Sequence, residues 1–174
     1  DMQTVDIVAA WERGDIDAAY TWQPSLGSLL ENGDMLVSSE QVAAMGHQTA
    51  NVLLARKGFT EQHPELTADF IAALIAGGNL YRENPEQAAA IVAAPLGITV
   101  ENALGQMQGS IWLTAEEEIS EAYMGTSETA GDFSKVMKAT ADFLLEQGSI
   151  TESPSQEEFD AFINPKYIEM YLER

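Results

Sequence analysis

Apolar positions in this chain recur mostly at three- and four-residue intervals, and only a few short runs break that rhythm. Val5, Val8 and Trp11 share one helical face, and Gly14 stands where a helix would stop, so the first element is a helix over 5–13. Residues 17–21 are short enough for a strand, with Ile16 at its start. A second helix is expected over 24–31, with Leu26, Leu29 and Leu30 inside. Asn32, Gly33 and Asp34 form a turn signal, residues 35–37 a short strand, and Ser38-Ser39-Glu40 the cap of a brief helix. Residues 49–56 give the best strand candidate, apolar in the middle and bracketed by Gly46 and Gly58.

Beyond that point the helical period dominates. Pro64 opens a long helix to about residue 84. Leu66, Phe70, Leu74 and Tyr81 form its expected core stripe, and Gly77-Gly78 a weak interruption. Helices follow over 85–94, 100–109, 115–123 and 129–147, with Pro95-Leu96-Gly97 ending the first of these. Phe133, Val136, Met137, Thr140, Phe143 and Leu144 share a face of the last, and Gly148 is its expected C-terminal glycine. Residues 159–163 and 167–172 close the pattern. A few strands with no partners for a full sheet, then many helices, describe the back part of a larger α/β protein.

Composition adjusts this picture in three ways. The 174 residues suffice for one good core or two small ones. The formal charge of −20, from 28 acidic against 8 basic residues, opposes nucleic acid and anionic membrane surfaces, so no nucleic-acid partner is expected. Cysteine is absent, which removes disulfides, thiolate catalysis and Cys-ligated metals. No apolar run has the length of a membrane span, and no charged-then-apolar leader is visible. The chain begins with Asp1 rather than Met, which suggests a processed or truncated product.

Candidate chemistry concentrates at residues 22–25. Trp22 offers a flat ring at the end of a short strand, able to pack on an alkyl chain or face a cation. Gln23 and Ser25 stand at a proline-led helix start, where free backbone N–H groups favour an anion. Donation to such an anion and simple helix capping are both open to them. Tyr20, Met107 and Trp112 read as core. His63 reads as an exposed helix-start residue, and the runs at Glu116-Glu117-Glu118 and Glu157-Glu158 as solvated faces near helix N-termini. Two histidines and no cysteine make a poor metal set. No phosphate loop, nucleophile elbow or zincin pattern is present, so no cofactor, metal or catalytic residue is expected.

Several blocks, in order and spacing, resemble bacterial taurine and alkanesulfonate substrate-binding proteins. They are Ala9-Ala10-Trp11, Arg13-Gly14-Asp15-Ile16-Asp17, Tyr20-x-Trp22-x-Pro24, Ser39-Glu40-Gln41-Val42, Arg56-Lys57-x-Phe59, His63-Pro64-Glu65 and Thr140-Ala141-x-Phe143-Leu144-x-Glu146-Gln147-Gly148. The resemblance implies the C-terminal portion of a two-lobed type II periplasmic binding protein, α/β and helix-rich after the hinge strand. It assigns 1–48 to the remainder of the second lobe, 49–57 to a returning hinge strand, and 58–174 to helices that complete and cover the first lobe. It implies a small organosulfonate or related anion in an interlobe cleft, an ABC-transporter permease as membrane partner, and an extracytoplasmic location. Pairing with the missing N-terminal part, or with another copy, would complete a sheet.

On this resemblance Trp22, Gln23, Ser25, Thr49 and Asn51 are the ligand-site candidates, with Gln48 and His47 nearby. The family carries an Asp where this chain has Asn51, and a bulky aromatic where it has Leu53. A neutral amide holds an ammonium less strongly than a carboxylate does, so sulfonates other than taurine come into view. Two other readings compete. A thiamine-pyrimidine-synthase-like enzyme would need cysteine- and histidine-containing motifs that this chain lacks. A standalone acidic helical interaction module would need no cleft.

Overall fold

The structure is a computed structural model that describes residues 2–174; Asp1 lies outside them. Two compact units are present, Asp1–Thr49 and Ala50–Arg174.

The first unit holds three helices: α1 (Thr4–Arg13), α2 (Ser25–Leu29) and α3 (Ser39–Ala44). Gly14 ends α1 in the left-handed region at φ 73°, and its N–H returns to the Trp11 carbonyl at 3.0 Å. α1 packs on α2. The Trp11 indole N–H donates to Asn32 Oδ1 at 2.7 Å, which draws the turn after α2 back to α1. Gly33 permits that approach, since a Cβ there would stand 2.7 Å from the Trp11 ring. Ser38 caps α3 in a reciprocal box with Gln41, as the Ser-rich start predicts.

The second unit runs α4 (Lys57–Gln62), α5 (Pro64–Glu83), α6 (Pro85–Leu96), α7 (Val100–Met107), α8 (Ala115–Glu118), α9 (Asp132–Glu146), α10 (Gln156–Phe162) and α11 (Lys166–Leu172). α5 is the spine, packed by α4, α6 and α11, while α6 pairs with α7 and α9 with α10. One core cluster joins Ile75 of α5, Ala115 of α8 and Ile168 of α11. A second is built on Ala89, Ala93 and Ala103, whose small side chains let α6 and α7 approach closely, with Met107 packed against it.

Several expectations are corrected. No strand ladder forms at 17–21, 35–37 or 49–56; the only β pairing among the described residues is an isolated Gly125–Ala130 bridge. The apolar runs were read from side chains, whereas a strand also needs a neighbour's N–H and C=O groups, and none lies beside these segments. Among the described residues the chain is helix-rich, as expected after residue 57, and its expected strands are segments without a ladder. On α5 the stripe of Leu66, Phe70 and Leu74 faces outward, and Thr67, Ala68, Ile75 and Gly78 are buried instead. On the buried side Ile75 packs with Ile168 of α11 and Ala115 of α8. The Gly77-Gly78 pair does not interrupt the helix, and Pro95 is accommodated within the last turn of α6 before Gly97 caps it. α4 has no apolar period and went unread, while α2 and α8 are shorter than expected.

Candidate functional site

Trp22, Gln23 and Ser25 lie together at the start of α2 in the first unit. The Gln23–Pro24 peptide is cis. Gln23 Oε1 accepts from the Gly27 N–H at 3.1 Å, so its amide oxygen is engaged in the turn and its NH₂ is the group left to donate. Its side-chain oxygen thus holds the first turn of α2. Ser25 is the first residue of α2 and lines a shallow depression with Val5, Val8, Glu12, Pro24 and Ser28. Glu12 stands on the same rim, where a carboxylate opposes an anion.

The Trp22 side chain is 64% exposed, with only its carbonyl engaged, by the Leu26 N–H at 3.0 Å. Tyr20 is 75% exposed, which overturns its reading as core. Between them, the Thr21 hydroxyl oxygen is buried without a hydrogen-bond partner among the described residues. Two exposed rings thus flank a buried, unpartnered hydroxyl at this tip. Thr49 ends the first unit, exposed and, among the described residues, without a side-chain hydrogen bond.

Asn51 belongs to the second unit and lines its cavity, about 710 Å³ in volume. The cavity wall includes residues 50–55, Leu74 and Ile75 of α5, Trp112, Met137 of α9 and Tyr167 of α11. Trp112 is more exposed than a core residue, because one side of its ring faces this space. Arg82 fixes it from behind: Nη1 donates to the Trp112 carbonyl at 2.8 Å and to Glu117 Oε2 at 2.5 Å, while Nη2 reaches Glu117 Oε1 at 3.3 Å. That fork, joined by the Thr114 N–H at 2.7 Å, holds the Glu117 carboxyl below its usual range. Glu118, next in sequence, lines the cavity, and burial pushes its carboxyl up. The three glutamates at 116–118 thus divide: one exposed, one paired and one turned toward apolar surroundings. Sequence reasoning treated them alike, since nothing in a run of identical residues tells which one faces inward.

His63 begins α5 as expected, with its ring 5.1 Å from that of Phe59. Glu158 forms a capping box with Ser155, whose N–H and hydroxyl hold its carboxyl low. Among the described residues no group of three His, Asp or Glu is arranged to hold a metal ion. No single described helix is long and apolar enough to cross a membrane.

Comparison with known proteins finds two similarities in sequence. Residues 1–78 match the family described as the substrate binding domain of ABC-type glycine betaine transport system. That match takes in 78 of the 174 residues, less than half of the chain. More particularly, the chain is 34% identical over 155 residues to the taurine-binding periplasmic protein of Escherichia coli (strain K12), a match covering 86% of this chain and 46% of that protein. The chain thus spans about half the length of the curated relative it matches.

Proposed function

We propose that this chain is part of the solute-binding component of an ABC importer, taking taurine or a related small organosulfonate without chemical change. The observation that carries this reading is the 34% identity to a taurine-binding periplasmic protein across most of the chain. The family and the relative are transport proteins, and the reading needs no catalytic group.

In the proposed mechanism the solute is held in a cleft between two lobes, and closure around it presents the protein to a membrane permease. Closure is driven by tighter binding to the closed form than to the open one. Residues 1–48 finish the second lobe, 49–57 form the hinge, and 58–174 complete and cover the first lobe. The protein works outside the cytoplasm.

Within this reading Trp22 packs on the alkyl part of the solute. Its ring is already exposed, so burying it on ligand recovers apolar surface at no folding cost. The Gln23 NH₂, and the Ser25 and Thr49 hydroxyls, are neutral donors suited to a sulfonate. Asn51 serves as a neutral partner at the other end of the solute, and this favours a sulfonate whose far end is uncharged over taurine with its ammonium. Calorimetric titration of the full-length protein with taurine, longer alkanesulfonates and glycine betaine tests the reading. Saturable heat with a sulfonate supports it, heat with glycine betaine alone redirects it to a cationic solute, and no heat with any of them refutes it.

A further inference from the structure

Gln23 and Ser25, two of the donors proposed for the sulfonate, are neutral side chains of the first unit. Within residues 1–49 the sequence carries eight Asp and Glu against one Lys or Arg. That one cation, Arg13, is already engaged, since its Nε donates to Asp15 Oδ2 at 2.8 Å. Glu12 lines the same shallow depression as Ser25. The second unit does not offset this charge. The chain as a whole has a formal charge of −20, and the cavity wall that holds Asn51 sets Lys57 and Lys166 against Glu61 and Glu118.

A site that holds an anion with Lys or Arg loses affinity as salt is added, because salt screens the attraction. The first unit has the opposite sign. Its fixed charges repel a sulfonate, and salt screens that repulsion. In 0.01 M salt the screening length is about 30 Å, so carboxylates throughout the unit act on the solute; at 1 M it is about 3 Å, and only a charge in contact still acts. An alkanesulfonate with an uncharged far end feels the whole of this field. Taurine, with an ammonium at its other end, has no net charge and feels less of it.

We propose, resting on the reading of this chain as part of a sulfonate-binding protein, that neutral donors hold the solute's anionic end against the repulsion of the first unit, so that binding strengthens as ionic strength rises. The salt content of the medium thereby regulates capture, and it does so more strongly for an alkanesulfonate than for a zwitterion.

Calorimetric titration of the full-length protein with ethanesulfonate and with taurine, at pH 8 in about 0.02 M and about 0.5 M salt, tests this. Sodium gluconate is used beside sodium chloride, so that competition by chloride is told apart from screening. The Kd for ethanesulfonate is expected to fall about three- to tenfold between the two gluconate concentrations, with a smaller change for taurine. Glu12→Gln is expected to lower that Kd about twofold in 0.02 M salt and to leave it unchanged in 0.5 M. Affinity for ethanesulfonate that falls or stays constant as gluconate is added overturns the proposal and leaves the transport reading standing. So does binding of taurine alone, or a folded Glu12→Gln variant that matches the parent in 0.02 M salt. No binding of either solute in any of these media refutes the transport reading, and the proposal with it.

Discussion

Gly78 lies against the face of Trp112: a Cβ at Gly78 would stand 3.1 Å from the ring carbon Cε3. Its neighbour Gly77 has nothing within 4 Å of the same position. Both sit inside α5, where glycine costs roughly 0.5–1 kcal/mol relative to alanine. Gly77→Ala is therefore expected to stabilise the protein by about that amount. Gly78→Ala sets the same gain against overpacking, which costs about 1–3 kcal/mol. It is expected to be the less stable of the two and to shift the Trp112 fluorescence. Thermal unfolding followed by fluorescence checks both, and equal melting temperatures would contradict the packing described for Trp112.

The Glu117 carboxyl is held low by Arg82 first and by the Thr114 N–H second. A carboxyl with a depressed folded-state pKa contributes stability above its unfolded pKa, near 4.5, and loses it as pH falls through the folded value. Asp142 with Lys138, and Asp160 with Ser134 and Gln156, act in the same direction. Melting temperature is expected to fall below about pH 4.5. Glu117→Gln should lower it at pH 7 and flatten the acid limb. An unchanged acid limb in that variant would remove Glu117 from the account.

Glu118 has the opposite sign. Burial raises its carboxyl, so the folded state binds the proton more tightly than the unfolded state. Its contribution is best at low pH and is lost as pH rises from about 4.5 through the raised value. Glu118→Gln removes the cost of ionising beside the cavity. Its melting temperature is expected to exceed that of the parent at pH 7 and to converge with it below pH 4. A variant less stable than the parent at pH 7 would mean that the charged form has a partner.

Gly131 is the tightest backbone approach in the second unit. A Cβ there would stand 2.1 Å from the Tyr123 carbonyl oxygen, and its N–H donates to the Met124 carbonyl at 3.0 Å. Backbone cannot yield as a flexible side chain can. Gly131→Ala is expected to cost at least about 1–3 kcal/mol, seen in urea unfolding as a lower midpoint. Gly58→Ala, with open space around it, serves as the control.

Helices were legible in the sequence because their signals are local. Gly14, Ser38, Pro64, Pro85 and Gly148 mark ends through conformations and caps that need no distant partner. Strands were not, because pairing is a property of two segments, and among the described residues no partner pairs with 17–21, 35–37 or 49–56. The same gap applies to α5: Leu66, Phe70 and Leu74 have the period of a buried stripe, yet the buried positions are Thr67, Ala68, Ile75 and Gly78, with Ile75 packed on Ile168 of α11. At the site, Trp22 could be picked as an exposed ring at a helix start, but Gln23's engagement with Gly27 was only one of two readings. The split among Glu116, Glu117 and Glu118 depends on Arg82, 35 residues from Glu117, and no local pattern carries that.

The account turns on Trp22 as a solute contact, and the 64% exposure of its side chain makes the test clean, since removing it leaves the fold intact. The decisive measurement is calorimetric titration of the full-length protein and its Trp22→Ala variant with taurine and longer alkanesulfonates. The account predicts saturable binding by the parent, at least about tenfold weaker in the variant, as expected for the loss of a ring contact of about 1.4 kcal/mol, with melting temperature unchanged. Equal affinity in the two proteins, or no saturable binding of any sulfonate by the parent, would contradict it.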